Sequence, residues 1–199
     1  DALALTQDYS DAWIYQISAL HILGRDYEAV HYYDQVLEQH PDNVPALMNK
    51  AYALGMMKEY DSAILLYDRV ITLEPDNVPA LLSKGYMLVN EGNYLEALNV
   101  YDQAIAIEPK NEEAYTSKGI ILYQMGRSEE AVDAFDMVIS FNPTNSDAWA
   151  NKGYALTKAG KIYEAVRAFD TALTLNPHNN DAKYGKVMAI RRSWPEYNG

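Results

Sequence analysis

An all-α solenoid of stacked helix pairs is the fold this sequence predicts, and three observations predict it. Pro41, Pro75, Pro109, Pro143 and Pro177 are spaced by 34 residues each time. Each 34-residue unit holds two apolar stretches at helical spacing, about 14 residues apiece. Between them sits a turn, marked in four units by Gly24, Gly92, Gly126 and Gly160, where a left-handed residue ends the first helix. A fixed period of this size marks a repeat array, because one helix pair cannot bury its apolar face without neighbours.

Asp1–Ala12 aligns with Thr171–Ala182, so Ala2, Leu3 and Leu5 take the places of Ala172, Leu173 and Leu175. Residues 1–9 therefore read as the remnant of an earlier repeat's second helix, in an excised or processed piece of a longer array. Full repeats follow at 10–43, 44–77, 78–111, 112–145 and 146–179. In the third, Leu81, Gly85 and Leu88 share one face of the first helix. Tyr94, Ala97, Tyr101, Ala104 and Ile105 form the stripe of the second. The second repeat departs from the pattern: Gly55 lies three residues early and Lys58 holds the turn position.

Each second helix is expected to end before its proline, which disfavours helical geometry in the preceding residue. Asn43, Asn77, Asn111, Asn145 and Asn179 then offer N-caps. Pro45 and Pro79 fall in the next first turn, where no amide donor is missed. Glu112, Glu113, Asp147 and Asp181 place negative charge in other first turns, as the helix dipole favours. Residues 180–194 read as one more first helix, capping the last repeat, and 195–199 as a tail begun by Pro195.

Composition narrows the function classes. The formal net charge is −12, which removes the basic footprint of nucleic-acid binding. There is no cysteine, hence no disulfide or thiolate metal site. No apolar run approaches the ~18 residues of a membrane span. A soluble, cytoplasmic chain that binds neither nucleic acid nor membrane is expected. His21, His31, His40 and His178 lack metal-ligand spacing. No glycine-rich phosphate loop or nucleophile motif is present. The expectation is therefore no catalytic residue, no metal, no cofactor and no enzyme activity.

Within the repeat, position 4 is Trp13, Leu47, Leu81, Tyr115 and Trp149, and position 8 is Ile17, Ala51, Gly85, Gly119 and Gly153. Position 20 is Ala29, Ala63, Ala97, Ala131 and Ala165. Position 24 is Tyr33, Tyr67, Tyr101, Phe135 and Phe169, and position 27 is Val36, Val70, Ala104, Val138 and Ala172. Small residues at 8 and 20 let antiparallel helices approach, and large ones fill the space around them. This pattern resembles the tetratricopeptide repeat over nearly the whole chain, with bulky Ile17 the main departure. The resemblance implies a right-handed superhelix, with first helices on a concave face and second helices on the convex one.

It also implies a ligand groove on first-helix positions 2, 5, 6, 9, 12 and 13. Position 6 supplies Asn49, Ser83, Ser117 and Asn151. Position 9 supplies Tyr52, Tyr86, Ile120 and Tyr154. Leu82 at position 5, with Asn90 and Lys158 at position 13, completes the candidate peptide-binding set. Rings give rigid contact area, and an amide both donates to and accepts from a peptide. Packing between neighbouring first helices is the competing role for the tyrosines. The chaperone-binding members of the family use a basic clamp that includes position 2. Here that position is Asp11, Pro45, Pro79, Glu113, Asp147 and Asp181, so that style of recognition is not expected.

Two charged features remain. Lys158, Lys183, Lys186, Arg191 and Arg192 gather toward one end, and cations near helix C-termini explain them better than an acidic ligand does. Lys50, Lys84, Lys118, Lys152 and Lys186 repeat at position 7, and Asp34, Asp68, Asp102, Asp136 and Asp170 at position 25. Ion pairs between adjacent helices are expected from them, in preference to an anion track. The functional expectation is a protein-interaction scaffold that binds a peptide or helix of a partner protein, as a monomer or with weak self-association through terminal repeats. The alternatives are a module that stacks end to end, and the regulatory or substrate-recruiting region of a larger enzyme.

Overall fold

The computed structural model describes residue 20 and residues 23–193. The expectations for residues 1–9, for the first helix of the first repeat including Ile17, and for the tail at 195–199 lie outside the described residues. Ten helices and no strands run through the described part. They fall into two compact units, Asp1–Ile107 and Glu108–Gly199. The first holds α1 (Asp26–Gln39), α2 (Val44–Met56), α3 (Tyr60–Leu73), α4 (Val78–Glu91) and α5 (Tyr94–Ile107). The second holds α6 (Glu112–Gln124), α7 (Ser128–Phe141), α8 (Ser146–Lys158), α9 (Ile162–Leu175) and α10 (Asn180–Ser193).

Local chemistry sets the helix ends. The Asn43, Asn77, Asn111, Asn145 and Asn179 side chains accept from the backbone N–H three residues on, at 2.8–3.0 Å. Each satisfies one donor left open by a helix start. His40, Glu74, Asn142 and Asn176, each just before a proline, leave the helical region with φ between −139° and −132°. Gly92, Gly126 and Gly160 take φ of +80° to +89° between helices of a pair.

Lys58 adopts φ +65° at the same place. A left-handed L-residue costs about 1–2 kcal/mol, and glycine gives back only about 0.5–1 through its freer unfolded chain. Lys58→Gly is therefore expected to raise stability by about 0.5–1 kcal/mol, read as a later urea midpoint at unchanged slope. An earlier midpoint would show that the lysine side chain contributes more than the backbone loses. Gly55 has a different reason from the turn glycines. It is buried inside α2, and a Cβ there would lie 2.5 Å from the Met87 sulfur of α4.

In each unit the core sets small residues against rings. Ala29, Ala63, Ala97, Ala131 and Ala165 are all 0% exposed. Tyr33, Tyr67, Tyr101, Phe135 and Phe169 are buried beside them. Within three pairs, the ring of the second helix lies flush on a first-helix glycine. A Cβ on Gly85 would come 2.6 Å from the Tyr101 ring, one on Gly119 2.7 Å from Phe135, and one on Gly153 2.6 Å from Phe169. α10 packs on α8 and α9 through Ala182, Gly185 and Ala189.

Within each unit, ion pairs tie a second helix to the next first helix. Lys50–Asp34, Lys152–Asp136 and Lys186–Asp170 meet at 2.5 Å and Lys84–Asp68 at 2.7 Å. In each pair the lysine bonds the aspartate 16 residues earlier. Those ammonium groups are half-buried and already neutralised, which leaves no anion track along these four lysines. An ion pair of this partial exposure contributes up to about 1 kcal/mol.

Candidate functional site

In the first unit the candidate residues stand on α2 and α4, which touch one another. Tyr52 and Tyr86 are 47% and 59% exposed. Leu82 and Asn49 are half-buried. The Asn90 side chain folds back to donate to the Tyr86 carbonyl at 2.8 Å. Ser83 is hydrogen-bonded to the Tyr67 hydroxyl, so its polar group is engaged within the fold.

That bond belongs to a buried phenol. Burial pushes the Tyr67 pKa up to about 12, outweighing the Ser83 hydrogen bond, which acts in the opposite direction. The fold thus favours the neutral phenol, and the unfolded chain ionises first, near pH ~10. The contribution is complete below about pH 10 and is lost as pH rises through about 12, on the order of 2 kcal/mol. Urea titrations at about pH 8 and pH 11.5 are expected to show a larger alkaline loss in the wild type than in Tyr67→Phe. Equal losses would remove Tyr67 as the source.

In the second unit the candidate residues stand on α6 and α8. Ser117 is half-buried on α6. Ile120, Asn151 and Tyr154 converge on a concavity of about 390 Å³, whose remaining lining is Tyr123, Gln124 and Phe135. The walls are largely rings and an isoleucine, with two carboxamides among them, the usual balance of a small recognition pocket. Among the described residues the Asn151 side chain has no hydrogen-bond partner, although its amide can donate twice and accept twice.

Tyr154 and Lys158 are engaged within the fold. The Tyr154 hydroxyl donates to the Asp181 carbonyl of α10 at 2.7 Å. Its ring meets Phe169 edge-on at 5.2 Å. Burial, with Asp181 next in importance, raises its phenol above the ordinary value and keeps it protonated. Lys158 donates to the Tyr123 carbonyl at 2.5 Å and lies 4.4 Å from the centre of the Tyr123 ring. Arg192 reaches the Thr157 carbonyl at 3.3 Å in the same way. These cations therefore serve the C-terminal ends of α6 and α8, as the helix dipole favours.

Tyr123, Gln124 and Phe135 were not among the sequence-derived site residues. The first two occupy positions 12 and 13, which the family groove includes, so that signal was present. Phe135 stands at position 24, a core position by pattern, and nothing in the sequence marks it as a pocket wall. Among the described residues, no helix is long and apolar enough to cross a membrane. No group of three or more histidine, cysteine or carboxylate residues there is placed to hold a metal ion.

Comparison with known proteins places this geometry. A family model described as TPR repeat matches residues 85–126. Models described as tetratricopeptide repeat match residues 27–84, 112–145 and 146–179. No curated protein sequence matches the chain significantly. Among solved structures, a tetratricopeptide repeat protein from Parabacteroides merdae aligns with TM-score 0.83 at 18% identity, over 94% of this chain and 74% of that one. MamA from Desulfovibrio magneticus aligns with TM-score 0.76 at 19% identity, over 85% of this chain and 96% of that one. YrrB, described as a TPR protein with an unusual peptide-binding site, aligns with TM-score 0.73 at 21% identity, over 88% and 90%. At these identities the likeness is one of fold.

Proposed function

Because the chain belongs to the tetratricopeptide-repeat family, whose fold is a scaffold for protein interaction, we propose that it reversibly binds a peptide or helical segment of a partner protein on its first-helix face. The action is recognition without bond chemistry. The observation that carries this reading is the Asn151 amide, without a partner among the described residues and set in a ring-lined concavity between α6 and α8. Ile120, 40% exposed, would receive an apolar side chain, while Asn151 bonds the adjoining backbone amide. Ser117 would extend this surface within the second unit, and Asn49, Tyr52, Leu82, Ser83, Tyr86 and Asn90 would form the corresponding surface of the first, with the repeats taken at 10–43, 44–77, 78–111, 112–145 and 146–179. YrrB's described peptide site supports the reading by analogy only.

The test is a random heptapeptide library selected on the wild-type protein, with the best peptide measured by calorimetry. Asn151→Ala is expected to weaken it at least tenfold, about 1.4 kcal/mol. Asn99→Ala, on the exposed side of α5, is expected to leave it unchanged. Equal affinity for wild type and Asn151→Ala would count against the groove. A specific observation favours end-to-end stacking as a second reading: Tyr184, Val187 and Met188 on α10 are 63%, 49% and 42% exposed. Light scattering that shows concentration-dependent multimers, with no peptide selected, would favour that reading.

A further inference from the structure

We propose that one stripe of α10, made of Asp181, Tyr184, Met188 and Arg191, docks an extended peptide that carries a basic and an acidic residue on either side of an apolar one. The proposal rests on the peptide-binding reading and names the ligand of the second unit's first-helix face. The four residues stand at i, i+3, i+7 and i+10, so they share one side of the helix. Ala182, Gly185 and Ala189 hold another side against α8 and α9. Tyr184 and Met188 are 63% and 42% exposed, and Asp181 and Arg191 are exposed at the two ends. The stripe borders the concavity. Tyr154, from the concavity wall, donates its hydroxyl to the Asp181 carbonyl at 2.7 Å. Arg192, next to Arg191, donates to the Thr157 carbonyl of α8 at 3.3 Å.

The end charges set this stripe apart. Among the described residues, neither the Asp181 carboxylate nor the Arg191 guanidinium has a hydrogen-bond or ion-pair partner. On α8 the matching ends are engaged or neutral. Asp147 accepts from the Asn179 side-chain amide at 2.9 Å, and Thr157 stands where α10 has Arg191. The helix dipole accounts for the signs on α10, acid at the start and cation at the end. It leaves both groups charged and able to bond a ligand. The ten residues from Asp181 to Arg191 rise about 15 Å. An extended chain covers that in about four to five residues, with alternate side chains on one face. The matching ligand therefore reads basic, any, apolar, any, acidic. Its basic side chain meets Asp181, its apolar one lies on Tyr184 and Met188, and its acidic one meets Arg191. The net charge of −12 makes copies of this chain repel one another, so a separate partner is the occupant.

The test selects heptapeptides from a random library on the wild-type protein and measures the best by calorimetry at low and high salt. The selected sequences are expected to share a basic and an acidic residue about four positions apart with an apolar one midway, and to bind more weakly at high salt. An exposed ion pair contributes up to about fivefold, so Asp181→Asn and Arg191→Gln should each weaken binding by about two- to fivefold. The Asp181 carbonyl stays in place for Tyr154 in these variants. Charge exchange separates docking from helix stability. A peptide with glutamate in place of its basic residue should bind Asp181→Lys better than it binds wild type. One with lysine in place of its acidic residue should prefer Arg191→Glu. Should a reversal unfold the helix, the Asn and Gln variants carry the test. Affinities that ignore these changes overturn the stripe, and beside a tenfold loss in Asn151→Ala they leave the groove standing. Full affinity in Asn151→Ala as well, or no peptide selected at all, removes both readings. Wild-type multimers in light scattering that dissociate in Arg191→Glu assign the stripe to a second copy and overturn the proposal.

Discussion

Phe169→Ala is expected to destabilise the second unit by about 3–5 kcal/mol, the range for deleting a large buried ring. Phe169 is 0% exposed. Its neighbours cannot close the void, because Gly153 and Gly185 present bare backbone to the ring. Tyr154, the third neighbour, is held by its bond to the Asp181 carbonyl. A site that cannot collapse keeps both the transfer cost and the cavity cost. Each repeat leans on its neighbours, so the loss should appear first as faster amide hydrogen exchange across α8, α9 and α10. Urea unfolding of the whole chain then measures its size. Leu175→Ala, where the side chain is 39% exposed, should cost far less. A Phe169→Ala loss below about 1.5 kcal/mol would mean that the helices close over the gap, against the collapse argument.

Gly153→Val is the second large effect, and here two contributions have opposite sign. Valine forms a helix better than glycine does, which favours the variant by about 0.5 kcal/mol. Against this, a Cβ at Gly153 would lie 2.6–2.8 Å from three atoms of the Phe169 ring, far inside contact distance. The ring is rigid and enclosed, so the helices must separate, at a cost of about 3 kcal/mol. Overpacking wins, and a net loss of about 2–3 kcal/mol is expected in urea unfolding. Gly160→Ala is the useful contrast. Its φ is +80°, with open space around the missing Cβ, so the left-handed penalty of about 1–2 kcal/mol is opposed only by about 0.5–1 kcal/mol from the stiffer unfolded chain, a net loss of about 0.5–1 kcal/mol. The two sites should also differ in coupling. Removing the ring makes room for the valine, so Phe169→Ala/Gly153→Val should lose less than the two single losses combined, by more than 1 kcal/mol. Strict additivity would show that Gly153 is small for some reason other than the ring.

These two effects rest on features already legible in the sequence. The 34-residue period and the apolar spacing within it called for helix pairs, and glycine at position 8 opposite a ring at position 24 called for close approach. Asn43, Asn77, Asn111, Asn145 and Asn179 could be read as caps because a cap is decided within three residues of chain. The lysines and aspartates of positions 7 and 25 could be read as partners from their common period. The choice between the two possible registers, 16 residues or 18, needed the packed helices.

The site was legible only in part, for a physical reason. A helix position tells which way a side chain points, and Ile120, Asn151 and Tyr154, assigned to one face, line one concavity. It does not tell what an equally exposed-looking group finds on the next helix. The Tyr154 hydroxyl, the Ser83 hydroxyl and the Lys158 ammonium all have partners inside the fold. Those partners lie 27, 16 and 35 residues away in sequence, across a gap that only packing closes. Phe135 shows the same limit from the other side, being core by its period and a pocket wall by its place. The sequence by itself determined the repeat, its helices, their caps and the small residues that let them meet, because each depends on local chemistry or on a regular spacing. Only the tertiary structure decided which polar groups remain without partners, because that depends on side-chain distances between helices that no periodicity encodes.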